Sequence, residues 1–357
     1  MKFCYFGIYD SSYSRNRIII DGLLQNGVEV IECSVDHKKY SSFLKYFILF
    51  KKALGLNRTE FEKVIVGFPG STVVWLAWIL FPKKKIIFDA FLSQYDSNIL
   101  DRRLHGKFSL HAIWHWLLDF YSCFLAGKVL LDTNAHIDYF VDTFKINRQK
   151  FIRVFVGAED KIFYPRERLK DNKIFTVHFH GTYIPLQGAS YIIEAIKILK
   201  DENIFFRLVG NGQDFKKTQS EIQRADLKNV EQIGSVPLEE LPRYIEEADL
   251  CLGIFGDTPK ANRVIPNKVF QYIAMGKPVI TSETPAIGEL FKNGDNIILC
   301  ERANAESLAK AIISAKTNQK LLNGIGKNGY DFYRQNLSPK ILVKKLMGDL
   351  KLEVKSI

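Results

Sequence analysis

The sequence predicts an α/β protein of two doubly wound domains that face each other across a cleft. Three observations predict it. Candidate strands and helices alternate from end to end, which implies parallel sheets covered by helices. At 357 residues the chain exceeds the length at which one core usually keeps growing, so two domains are expected. Between the halves, residues 157–172 (GAEDKIFYPRERLKDN) are polar, rich in charge and interrupted by Pro165, as a linker is.

In the first half the strand-like apolar runs are 2–8 (KFCYFGI), 28–34 (VEVIECS), 63–67 (KVIVG), 85–89 (KIIFD), 128–131 (KVLL) and 152–155 (IRVF). In the second they are 173–179 (KIFTVHF), 204–209 (IFFRLV), 230–233 (VEQI), 249–254 (DLCLGI), 278–281 (PVIT) and 297–299 (IIL). Open sheets of this kind bind ligands outside the carboxyl ends of their strands, so functional residues are sought in the loops there. Residues 338–350 form a last amphipathic helix. There is no repeat of solenoid length and no low-complexity tract.

A composition of 47% apolar and 25% charged residues is that of a soluble globular protein. Met1 leads directly into a strand, and the longest apolar run, Val73 to Phe81, falls far short of the ~20 residues that cross a bilayer. Cys4, Cys33, Cys123, Cys251 and Cys300 are scattered, as reduced core residues of a cytoplasmic protein are, and suggest neither a disulfide frame nor a zinc site. The net charge of +11 is uneven: residues 1–170 hold 25 Lys and Arg against 17 Asp and Glu, +8, and the remainder +3. A basic half suits either an anionic neighbour or a solvated face.

The most informative stretch is Gly253 to Ile280, GIFGDTPKANRVIPNKVFQYIAMGKPVI. It reads as strand, basic loop, short helix and second strand. Lys260 and Arg263 fill the loop, Pro266 opens the helix, Gly276 stops it, and Pro278 leads into the next strand. Free N–H groups and the positive dipole end of that helix point into a loop carrying cations, which makes a site for a phosphate or diphosphate.

PNKVFQYIAMGKPVI resembles the nucleotide-sugar segment of the GT-B retaining glycosyltransferases of family four, the glycosyl transferases group 1. HGTYIPLQG (180–188), LVGNGQD (208–214) and NVEQIGSVPLEELPRYIEEADLCL (229–252) match further segments of that family in order and spacing. The resemblance covers about 171–335; residues 1–170 match in layout only.

The resemblance implies the GT-B fold, two Rossmann-like domains: an acceptor-binding domain at 1–165, a nucleotide-sugar domain at 166–335, and a helix in 336–357 packing back on the first. Lys260, Arg263 and Lys268 would meet the donor diphosphate, with Asn267 adding donors and Gln271 at the ribose. Fixed cations beside a helix N-terminus neutralise a departing diphosphate without a metal, and no cofactor is implied. Gly181, Gly188, Gly210 and Gly212 permit tight turns and close approach of the donor, although turn geometry alone also explains glycines there. Several positions depart from the family: Arg263 and Gln271 stand where its two glutamates do, Thr182 replaces an arginine and Gln187 a lysine.

In the first domain, Tyr9 and Asp10 end a strand and Arg15 and Arg17 begin a helix; by resemblance this loop faces donor phosphates and acceptor, the alternative being a surface cap. Asp89, at a strand's carboxyl end, is placed to orient an acceptor hydroxyl or take its proton, where the family often has histidine. Asp132, with Thr133 and His136, lines the same cleft or caps a helix. His111 and His115 lie one turn apart among Trp114 and Trp116, which reads as a packed or interfacial helix rather than a metal site.

Two segments suit an anionic membrane surface or else a buried outer layer: 43–55 (FLKYFILFKKALG) and 71–85 (STVVWLAWILFPKKK). The expectation is a cytoplasmic, retaining transferase with peripheral membrane contact, moving a sugar from a nucleoside-diphosphate sugar to a glycan or lipid-linked glycan. Two alternatives stand beside it: a non-catalytic nucleotide-sugar-binding scaffold, and a GT-B-type epimerase. A nucleic-acid partner is disfavoured because the basic residues are dispersed and form no binding module.

Overall fold

The computed structural model describes residues 1–36, 39–40, 43–166 and 174–352. It divides into two compact units, Met1–Gly157 with Ser338–Ile357, and Ala158–Leu337. Each holds one six-stranded parallel sheet covered by helices, as the doubly wound reading predicts.

The first sheet contains β1 (Lys2–Ile8), β2 (Glu29–Val35), β3 (Lys63–Val66), β4 (Ile86–Phe91), β5 (Lys128–Leu131) and β6 (Phe151–Arg153), in the order β2-β1-β3-β4-β5-β6. The second contains β7 (Phe175–His180), β8 (Ile204–Val209), β9 (Val230–Ile233), β10 (Leu250–Leu252), β11 (Val279–Ser282) and β12 (Ile298–Cys300), in the order β12-β11-β10-β7-β8-β9. Every strand expected from the sequence is found, shifted by no more than a residue or two; residue 173, where one was expected to begin, lies outside the described residues. Each sheet has one place where strand order reverses, between β1 and β3 in the first and between β7 and β10 in the second. Connections leave in opposite directions at such a point, opening a crevice beyond the carboxyl ends.

Alternation along β1 sorts the first core into two layers. Cys4, Phe6 and Ile8 pack on one face with the helices Leu44–Leu54, Val74–Leu80 and Leu110–Leu125. Phe3 and Tyr5 pack on the other with the helices Ser14–Gln25 and Pro339–Asp349. The last two helices lie against each other at Gly22, where any added Cβ would come within 2.4 Å of the Pro339 carbonyl oxygen.

The units divide at Gly157 and Ala158, ahead of the boundary at 165 expected from the sequence. Residues following that point are anchored in the second unit: Phe163 is buried and the Tyr333 hydroxyl donates to the Ala158 carbonyl at 3.0 Å. Of the expected linker, 167–172 lie outside the described residues.

Candidate functional site

At the switch point of the second sheet, β7 ends in His180 and is followed by Gly181, while β10 leads into Gly253. The helix Asn267–Ala274 starts there after Pro266, and no side chain caps its first turn. Its end is set by Gly276 at φ +71°, with the Lys277 N–H returning to the Tyr272 carbonyl at 3.0 Å. Lys268, in the first turn, is buried. Its Nζ donates to Gln187 Oε1 and lies 3.5 Å from the Gly253 carbonyl and 3.8 Å from the Phe179 ring centroid. Burial holds this amine well below the ordinary lysine range.

Two glycines give Lys268 its room. A Cβ on Gly181, whose φ is +155°, would stand 2.7 Å from Nζ. Gly210, at φ +138°, passes so close beneath Gly181 that a Cβ would fall 1.9 Å from the Gly181 carbonyl oxygen. Thr182 is exposed, and Asn267 is half-buried at the helix start.

Beside Lys268 runs a buried polar chain absent from the sequence reading. His178 and His180 share one side of β7, two residues apart. His178 Nε2 and His180 Nδ1 are 3.1 Å apart, and His180 Nε2 lies 2.9 Å from Gln271 Oε1. The Tyr272 hydroxyl accepts from the His180 N–H at 3.1 Å. Burial, then the neighbouring Lys268, pushes His180 down to about 3; burial, then the neighbouring His180, pushes His178 well below its usual value. The signal was there in the pattern T-V-H-F-H, which puts both imidazoles on one face of a strand.

Lys260 lies in the loop, buried in the tight turn Pro259–Asn262, because Ala261 and Val264 pack that turn onto Ile184, Leu186 and Ile254. Arg263 closes the turn, its N–H donating to the Lys260 carbonyl at 2.9 Å, and is half-buried. The Gln271 side chain is also buried, its Oε1 2.9 Å from His180 Nε2.

In the first unit, Asp89 is not an open proton acceptor. It is fully buried and gripped by Arg15, whose Nη1 also donates to the Val154 and Phe155 carbonyls at 2.8 and 3.1 Å. Arg15 is therefore neither a surface cap nor an open phosphate ligand. Tyr9 turns inward, edge-on to Tyr5, and its hydroxyl donates to Glu32 Oε2 at 3.0 Å. Asp10 accepts from the Ser12 N–H at 2.8 Å in a turn, and Arg17 is half-buried one turn on. Asp132 is buried against His136, Oδ1 to Nδ1 2.8 Å, while Thr133 caps the helix Asn134–Phe144. A residue missed by the sequence reading, Asn16, fastens the switch point of this sheet. Its side chain donates to the Phe68 and Asp10 carbonyls and accepts from the Phe68 N–H and the Tyr5 hydroxyl.

His111 stacks on His105 with centroids 4.0 Å apart. Among the described residues no group of three or more His, Cys, Asp and Glu is arranged to hold a metal ion.

A buried lysine, a helix start and two close-approach glycines thus meet at the topological switch point, the place where open parallel sheets take their ligands. Residues 160–332 match the family described as Glycosyl transferases group 1. Over 157 residues the chain is 26% identical to an uncharacterized glycosyltransferase, MJ1178, of Methanocaldococcus jannaschii, covering 44% of this chain and 42% of that protein. Over 135 residues it is 30% identical to the amylovoran biosynthesis glycosyltransferase AmsK of Erwinia amylovora, covering 36% of this chain and 32% of that protein. These matches span less than half the length of either relative. HepE of Anabaena, solved with UDP and glucose, superposes with a TM-score of 0.71 over 98% of this chain and 99% of its own at 14% identity, a likeness of fold.

Proposed function

We propose that the chain is a retaining, metal-independent glycosyltransferase that moves a sugar from a nucleoside-diphosphate donor to a hydroxyl acceptor. The observation that carries this reading is Lys268, buried at the switch point of the second sheet beside Gly181 and the start of its own helix. An arriving diphosphate would replace Gln187 as the partner of Nζ, take up free N–H groups of the helix start, and find its developing charge neutralised as the sugar departs. The first unit would present the acceptor, a glycan or lipid-linked glycan in surface-polysaccharide assembly, at the inner face of a membrane. The biosynthetic role of AmsK and the UDP bound to HepE support this choice of pathway and donor class.

A second reading, a nucleotide-sugar-binding protein without turnover, is favoured by one observation: Gln271 already spends its carbonyl on His180. Release of nucleoside diphosphate from a panel of nucleotide sugars, with EDTA present, separates the two. Turnover that survives EDTA and falls at least about a hundredfold in Lys268→Ala supports the transferase. Thermal stabilisation by the nucleotide with no turnover on any acceptor supports the binding protein. Neither stabilisation nor turnover overturns both.

A further inference from the structure

We propose that the outward side of three adjoining helices in the first unit is a docking face for an anionic lipid bilayer. The helices Leu44–Leu54, Val74–Leu80 and Leu110–Leu125 all pack on the same layer of the first core. They adjoin one another: the Tyr46 and Trp75 rings are 6.2 Å apart, and Ser122 Oγ donates to the Ser71 carbonyl at 2.7 Å. Inward residues such as Leu49, Ala77 and Cys123 fill the core. The outward positions of these helices mix large apolar side chains with lysines, where a solvated helix would be polar throughout. Phe108 is 99% exposed, Phe43 87% and Leu110 82%, with Trp78, Trp114 and Phe124 also exposed. Large apolar side chains left exposed in this number on and just before adjoining helices mark an interaction site rather than ordinary surface.

Charge decides the occupant. Segments 43–58, 71–88 and 104–128 contain nine lysines and arginines and a single carboxylate, Asp119. Asp119 is buried and accepts from Ser93 Oγ and the Gln94 and Tyr95 N–H groups, so these three segments offer no exposed acid. Cations also ride directly on the exposed rings: Lys51 Nζ is 4.8 Å from the Phe47 centroid and Lys83 Nζ 4.6 Å from that of Phe124. A second copy of the chain pairing through this face would set lysine against lysine. A bilayer with anionic headgroups meets both demands, taking rings into its interface and lysines to its phosphates. No helix among the described residues is long and apolar enough to cross a membrane, so the contact is a surface one.

The purpose of the face rests on the proposed lipid-linked acceptor, but its test needs no nucleotide and so stands apart from turnover. All four tryptophans, Trp75, Trp78, Trp114 and Trp116, lie on these helices, which makes intrinsic emission a direct reporter. The protein is mixed with vesicles of phosphatidylcholine alone and of phosphatidylcholine and phosphatidylglycerol in equal parts, then sedimented. We expect a blue shift and co-sedimentation with the anionic vesicles only, weakened by salt. Lys83→Glu with Lys84→Glu should weaken binding at least about fivefold per lysine. Phe108→Ser with Trp114→Ser should do so without lowering the thermal midpoint, because both side chains are exposed. Equal binding to both vesicle types, binding to neither, or self-association that these substitutions abolish would each overturn the proposal.

Discussion

The guanidinium of Arg15 holds both oxygens of Asp89, with Nε 3.2 and 2.9 Å from Oδ1 and Oδ2 and Nη2 3.0 Å from Oδ1, and neither side chain reaches solvent. Nη1 continues to the chain just beyond β6. One arginine thus ties the first helix to the carboxyl ends of β4 and β6. Burial raises the Asp89 carboxyl against the pull of Arg15, yet the bidentate geometry keeps the pair together.

Breaking this pair leaves an uncompensated buried charge. Asp89→Asn and Arg15→Met are each expected to cost about 3–5 kcal/mol, read as a lower urea midpoint. The double variant Arg15→Met with Asp89→Leu should recover part of that loss, because two apolar groups need no partner. An Asp89→Asn protein of wild-type stability that has lost turnover would instead make Asp89 the catalytic base.

The pair also marks the boundary of what the sequence disclosed. Strand positions were legible because each strand is a short apolar run bounded by turn residues, and the order of the second half was legible from its glycines and Pro266. Partnership was not. Arg15 and Asp89 are 74 residues apart, and a carboxylate at a strand end looks the same whether it faces a ligand or an arginine. Nothing local reveals that Ala261 and Val264 turn the Lys260 segment inward. His178 and His180 were hidden inside a strand that reads as apolar. The position of Lys268 in the first turn of a helix was legible because helix start, cation and preceding loop are contiguous in the chain.

Proton uptake should accompany donor binding. In the free protein burial lowers the Lys268 amine; a diphosphate against Nζ favours its charged form and raises it. Between those two values each bound nucleotide takes up a proton. Affinity there should fall by up to about tenfold per pH unit as pH rises. Calorimetry with UDP in two buffers of different ionisation heat measures the uptake, and identical apparent enthalpies would contradict it.

Gly210→Ala should disable the second unit more severely than its small size suggests. The new Cβ meets the Gly181 backbone at 1.9 Å, and neither strand can retreat without moving Lys268 or the sheet. A loss of roughly 2–4 kcal/mol is expected, with nucleotide binding abolished in any protein that folds. Gly276→Ala, where φ is +71° but no atom lies within 4 Å of the new Cβ, should cost only the backbone strain, about 1 kcal/mol. Equal losses at the two positions would show that the close passage beneath Gly181 is relaxed in solution.

Acid should unfold the second unit through its buried imidazoles. His178 and His180 are neutral in the fold and depressed, the latter to about 3, whereas an unfolded histidine titrates near its ordinary value of about 6.5. The unfolded chain therefore binds more protons between those values. Stability is fully present above pH about 6.5 and declines progressively toward pH about 3, by about 2 kcal/mol for His180 alone at pH 5. Denaturation midpoints at pH 7 and pH 5 measure the loss. His180→Gln keeps a side chain able to meet Gln271 but carries no titrating group. It should therefore narrow the gap between the two midpoints, even if both are lower than in the unmodified protein. A gap that His180→Gln leaves unchanged would assign the acid sensitivity to other groups.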